Sequence, residues 1–139
     1  MDNKTQAEKI EKLAGEIYKF LLKHGLWQDV RIYFNGKAYC SYPVYRHPDG
    51  TLSKNYVPGA VNINYNNPDY LHVIENIDPS DYMVYYNRDT ITMSFEGVFY
   101  EVLNYGAAPK LQEAFDNLIK NHGYYYEFGN AWNLALYEM

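Results

Sequence analysis

The chain contains one cysteine, Cys40, so no intramolecular disulfide can close, and the disulfide scaffolds of small secreted proteins are excluded. No apolar run approaches the ~18 residues that a membrane span needs. The N-terminal residues 1–12 are charged where a signal peptide would carry an apolar stretch. These absences predict a cytoplasmic protein with no membrane partner. Cations are almost missing from residues 55–109, where Asp69, Glu75, Asp78, Asp81, Asp89, Glu96 and Glu101 face Arg88 alone. The whole chain carries a mild formal charge of -5, so the excess negative field belongs to this middle stretch. Nonspecific binding to nucleic acid phosphates is disfavoured.

Catalytic and cofactor signatures are missing as well. There is no phosphate-cradling glycine loop, no Gly-x-Ser-x-Gly elbow, no His-Glu-x-x-His and no dinucleotide fingerprint. No cofactor or metal is therefore expected, and whether the protein is an enzyme stays open, with the balance against it.

What the chain has in abundance is tyrosine, 17 of 139 residues. Asparagine is also frequent. A tyrosine ring can be buried while its hydroxyl stays wet, and Tyr with Asn is the pairing that binding surfaces use for large contact area at low entropic cost. Tyrosine is equally a good strand former, so packing competes with recognition at each position.

Local patterns divide the chain into elements. Thr5 and Glu8 have capping-box spacing, and Ile10, Leu13, Ala14, Ile17 and Leu21 form one helical stripe, which predicts a helix over 6–24 ended by Gly25. Alternating residues 30–34 and 37–42 flank Asn35-Gly36, the strongest short hairpin signal. That register puts Val30, Ile32, Phe34 and Tyr39 on the core face and Arg31, Tyr33, Cys40 and Tyr42 on the other. Residues 43–67 read as irregular. Strands are expected near 71–77, 83–86 and 90–95, with a turn at 87–89. A short helix ending at Gly106 follows, then a helix from Pro109 to Gly123. A closing hairpin turns at Gly129-Asn130, with Trp132, Leu134, Leu136 and Tyr125 inward. The fold class is α+β: an antiparallel sheet of about five or six strands, built from two β-hairpins and a central strand and packed by an N-terminal and a C-terminal helix in one domain spanning 1–139.

Two surfaces are candidates for binding. The first is acidic and tyrosine-rich, formed by Asp69, Tyr70, Glu75, Asp78, Asp81, Tyr82, Tyr85 and Tyr86, and suits a protein partner with a basic surface, as in an inhibitor or accessory protein. The second is an outward aromatic row of Tyr124, Tyr126, Phe128 and Tyr137 with Asn133, suited to stacking on a small ligand or carbohydrate. Open sheet edges also permit a homodimer. Three enzyme-like readings are weaker. Cys40 falls opposite Arg31, which favours a thiolate, but no histidine or family signature accompanies it and a small half-buried strand residue explains it better. His72 and Glu75 share an i,i+3 spacing that ligates only on a helix. The carboxylates of the middle stretch could pair only through a fold that sequence does not specify.

Overall fold

The computed structural model describes residues 3–41, 45–62 and 71–139. The chain opens with α1 (Asn3–Lys23). Its apolar stripe Ile10, Leu13, Ala14, Ile17 and Leu21 is buried as the spacing requires. Gly25 takes φ +69, the left-handed conformation that ends a helix. The hairpin of β1 (Val30–Phe34) and β2 (Lys37–Cys40) pairs Arg31 with Cys40 and Phe34 with Lys37, the register that the Asn35-Gly36 turn dictates.

Short strands β3 (Tyr45–Arg46), β4 (Leu52–Ser53) and β5 (Val61–Asn62) form a small three-stranded sheet. Then come β6 (His72–Glu75), a single 3-10 turn at Pro79–Asp81, and β7 (Thr92–Phe95). Helix α2 (Val98–Tyr105) ends at left-handed Gly106, and α3 (Pro109–Asn121) leads into the hairpin of β8 (Tyr124–Asn130) and β9 (Asn133–Glu138).

The main sheet has six antiparallel strands in the order β6-β2-β1-β7-β9-β8. One face is covered by the helices. Between them lies an apolar core of Leu13, Ile17, Ile32, Met93, Phe95, Leu134 and their neighbours. Aromatic rings complete what the aliphatic residues begin: Phe99 meets Phe95 and Phe115 edge-on, with centroids 5.2 and 5.0 Å apart. Among the described residues, no helix is long and apolar enough to cross a membrane.

Four expectations need correction. Helix α1 begins at Asn3, so Thr5 lies inside its first turn and is not the cap. The described part of 43–67 holds β3, β4 and β5, tied by a tight turn in which Gly50 N–H donates to His47 O at 2.9 Å. Residues 83–86 form no strand, because the 3-10 turn at Pro79–Asp81 sends the chain across the face of the sheet and not along its edge.

The last hairpin is the fourth. It turns at Ala131 and Trp132, with Asn130 paired to Asn133 and a bulge between Phe128 and Asn130. The pairing slips by an odd number of residues, which reverses β8 relative to β9. Tyr124, Tyr126 and Phe128 therefore share the helix face with Leu134 and Leu136, whereas Tyr125, Asn133 and Tyr137 lie on the other. Trp132 packs on that second face as well.

Candidate functional site

The second face of the sheet carries the chemistry. Arg31, Tyr33, Ala38, Cys40, Thr92, Ser94, Asn133 and Ala135 alternate onto it from β1, β2, β7 and β9. No helix covers it among the described residues. Residues 76–90 cross it as a roof, sealing a small apolar cluster of Tyr33, Ala38, Cys40, Ile77 and Met83.

Specific polar contacts fasten this roof. At its start, Ile77 N–H donates to Gly36 O at 3.0 Å. The Asp78 side chain accepts from Ser80 N–H at 3.2 Å, capping the 3-10 turn, and receives Arg88 Nε at 3.0 Å and Nη2 at 2.8 Å. The Arg88 guanidinium, followed by the Ser80 N–H, holds the Asp78 carboxyl below the usual carboxylate range. At the far end, Asn87 Nδ2 and Thr90 Oγ1 donate to Leu136 O at 2.8 and 2.5 Å.

The middle of the roof rests on Asn133, which is wholly buried. Its Nδ2 donates to Tyr85 O at 2.9 Å and to Met83 Sδ at 3.3 Å, while its Oδ1 has no hydrogen-bond partner among the described residues. Gly129 makes the fit possible. A Cβ there would lie 2.2 Å from Asn133 Oδ1 and 2.4 Å from Tyr85 Cβ.

With Met83 pointing in, its neighbours point out. Tyr82 is 55%, Val84 81% and Tyr85 58% exposed, three large side chains together on a segment pinned at both ends. Beside Tyr82 opens a cleft of about 380 Å³, bordered by Arg31, Tyr33, Ser94, Glu96 and Trp132. Arg31 Nη1 donates to Tyr33 OH at 3.4 Å, and its guanidinium sits 5.5 Å from the Tyr82 ring centroid. Although Asp29 and Glu96 border the same cleft, neither is ion-paired with Arg31. The Tyr33 bond raises the Arg31 pKa, against a smaller lowering by burial. Burial raises the Tyr33 phenol, against the Arg31 hydrogen bond.

The predicted acidic face is only partly assembled. Asp81, Tyr82 and Tyr85 stand exposed on the roof. Tyr86 is half-buried against the apolar cluster, with the Arg88 guanidinium 5.3 Å from its ring centroid. Asp78 serves the roof's own architecture. Glu75 pairs in register with Lys37 and falls on the helix side of β6, away from the others. Asp69 and Tyr70 lie outside the described residues, as does Tyr42.

The predicted aromatic row is divided by the corrected hairpin. Tyr124 is buried, with Gln6 Nε2 donating to its hydroxyl at 3.4 Å. Tyr126 packs on Phe115 and donates to Asp116 Oδ1. Burial, then that bond, pushes the Tyr126 pKa well above the usual phenol range. Asn133 is roofed over, and Tyr137 stacks with Tyr125 at 5.8 Å on the second face.

The weaker chemistries fare no better. Cys40 is buried, and burial raises its thiol against the smaller pull of Arg31. That environment opposes a thiolate. His72 and Glu75 occupy a strand, where an i,i+3 spacing sends them to opposite faces. Among the described residues, no three His, Cys, Asp or Glu side chains converge as a metal set would. His122 has its Nδ1 2.9 Å from Leu118 O at the end of α3, a helix-terminal role.

Sequence reasoning missed Val84 and Trp132 as surface-forming residues. The signal for Val84 was an apolar residue between tyrosines in a stretch too short to cover. Arg31 lies on the face that the hairpin register predicts, and its place beside Tyr82 and Trp132 has no local signal in the sequence.

The architecture is that of an α+β protein with one helix-covered face and one thinly roofed face. Compared with family models, curated proteins and solved structures, the chain matches none.

Proposed function

We propose that this is a noncatalytic interaction domain that binds a basic protein partner through the roofed face of its sheet. The observation that carries this reading is the outward presentation of Tyr82, Val84 and Tyr85. Solvent exposure of three large side chains within four residues is unfavourable for an isolated chain, and a segment pinned at Ile77, Asn87 and, through Asn133, Tyr85 has little entropy left to lose on binding. Tyr, Trp and Arg are the residue types that dominate interface energies, and Tyr82, Trp132 and Arg31 meet at one cleft.

Charge selects the partner. Exposed Asp29, Asp81, Asp89 and Glu96 accompany this face, and Arg88 is already neutralised by Asp78. A basic surface would be steered to it and released as salt screens the attraction.

The test is capture from native-source lysate on immobilised wild-type protein and on the Tyr82→Ala/Val84→Ala/Tyr85→Ala variant, washed at low salt and at about 0.5 M. A basic protein held by the wild type at low salt, released at high salt and lost by the variant supports the reading. Identical retention by both proteins, or retention indifferent to salt, contradicts it.

A further inference from the structure

The strand β8 forms one edge of the main sheet. The strand lies at the end of the strand order and, among the described residues, has β9 as its only strand neighbour. Its backbone directions follow from three hydrogen bonds. Leu136 N–H donates to Ile91 O at 2.9 Å, Phe95 N–H donates to Trp132 O at 2.8 Å, and Met139 N–H donates to Gly123 O at 3.1 Å. Leu134 and Leu136 thus direct their backbone groups to the β7 side, where Leu136 meets Ile91 and the end of the roof, so Tyr126 and Phe128 opposite them turn N–H and C=O away from β9. Tyr124 does the same by alternation.

An edge of this kind is usually protected by lysine, proline or a bulge within it. Residues 124–128 contain neither lysine nor proline, and the bulge lies beyond them, between Phe128 and Asn130. What remains is a straight five-residue edge centred on Tyr126.

We propose that a second copy of this chain occupies that edge, with β8 pairing antiparallel to itself about a two-fold axis at Tyr126. This register uses all three outward-facing residues, Tyr124 against Phe128, Tyr126 against itself and Phe128 against Tyr124, for about six interchain backbone hydrogen bonds. On the helix face, Phe128, now 45% exposed, gains an aromatic cross-strand partner. On the roofed face, Tyr125 stands opposite Glu127 of the second copy, a hydroxyl beside a carboxylate. The neighbouring register, centred on Glu127, places two like charges directly opposite one another and draws the bulge into the ladder. A centre at Tyr125 shortens the pairing. The charge pattern and the bulge therefore select one register.

The dimer is a continuous twelve-stranded sheet, twice the six of one chain. A two-fold axis normal to the sheet puts both helical layers on one side and both roofs on the other. The pairing stands whether or not the roof binds a partner; if it does, the dimer presents that surface twice.

Two measurements test the pairing. Sedimentation equilibrium from roughly 1 to 200 μM should show the mass rising from one chain toward two by mass action. Phe128→Lys should weaken this by about tenfold or more, with a Tm close to that of the wild type at concentrations too low for pairing, since the side chain is 45% exposed in the single chain. The second is cross-linking. Residues 125 and 127 of opposite chains form a pair without mutual backbone hydrogen bonds, with Cα atoms ~4.5 Å apart, which suits a disulfide. An oxidised mixture of Tyr125→Cys and Glu127→Cys proteins should give a reducible dimer that neither variant gives alone, with buried Cys40 silent. A mass of one chain throughout the range overturns the proposal. So does Glu127→Cys cross-linking to itself as readily as the mixture.

Discussion

The two faces of the main sheet are held by different physics. Under the helices, burial is continuous and almost wholly apolar, and Phe95, Phe99 and Phe115 interlock at its centre. Under the roof, the apolar cluster is small, and the covering segment is retained by a few directed bonds, from Ile77 N–H to Gly36 O, from Asn87 and Thr90 to Leu136 O and from Asn133 to Tyr85 O. Hydrophobic burial scales with area and tolerates local error, whereas a directed bond acts at one place. The helix face should therefore govern global stability, and the roof should respond locally.

The comparison would break most visibly at Phe99. Phe99→Ala removes a fully buried ring and is expected to cost ~3–5 kcal/mol in urea denaturation, lowering the midpoint for the whole domain. Equal loss from a roof variant would erase the distinction between the faces.

Gly129→Ala comes next. The added Cβ meets Tyr85 Cβ and Asn133 Oδ1 at less than contact distance, so the roof or the bulge must shift, at about 1–3 kcal/mol. Hydrogen exchange should rise in 83–87 and around Gly129 while α1 keeps its protection. Uniformly faster exchange would mean that the roof and the core unfold as one unit.

Alkaline titration sharpens the contrast from the helix side. The folded-state pKa of Tyr126 is raised, so both states keep the proton below the ordinary phenol pKa of about 10, and above it the unfolded chain ionises first. The Tyr126 contribution is thus complete below about pH 10 and lost as pH rises toward the folded value. Tyr126→Phe should flatten that decline. An unchanged slope in the variant would assign the decline to another group.

The smallest effect is expected at Asp78. Its pKa is lowered by Arg88 and the Ser80 N–H, so its contribution is present above the ordinary carboxylate pKa and is lost as pH falls through the lowered value. Asp78→Asn at neutral pH should reproduce that loosening as faster exchange in 77–82, with little change in Tm because the pair is solvent-exposed.

The legible parts of the sequence are those in which a local pattern and its tertiary partner agree. Asn35-Gly36 admits few alternatives to a two-residue hairpin, and that turn placed Arg31, Tyr33 and Cys40 on the second face together. The α1 stripe could be buried in only one orientation. Gly129-Asn130 resembled the same kind of turn, but its glycine serves the approach of Tyr85, and Asn130 instead accepts a hydrogen bond from Trp132 N–H at 3.1 Å. The candidate site suffered in the same way. Asp81, Tyr82 and Tyr85 stand close together in the chain, but no local signal distinguishes an Asp that caps and pairs with Arg88, such as Asp78, from one left exposed, such as Asp81.

The sequence by itself determined the α+β class, the helices, the first hairpin and the central strand, because glycine helix ends, periodicity and turn chemistry act over a few residues. Only the tertiary structure decided which way β8 faces, that 76–90 roofs the sheet, and which tyrosines remain in solvent. Those outcomes rest on contacts such as Tyr85 with Gly129 and Asn133 with Met83, between residues 44 and 50 positions apart. A one-residue bulge is enough to reverse a strand, and its position is set by the packing around it.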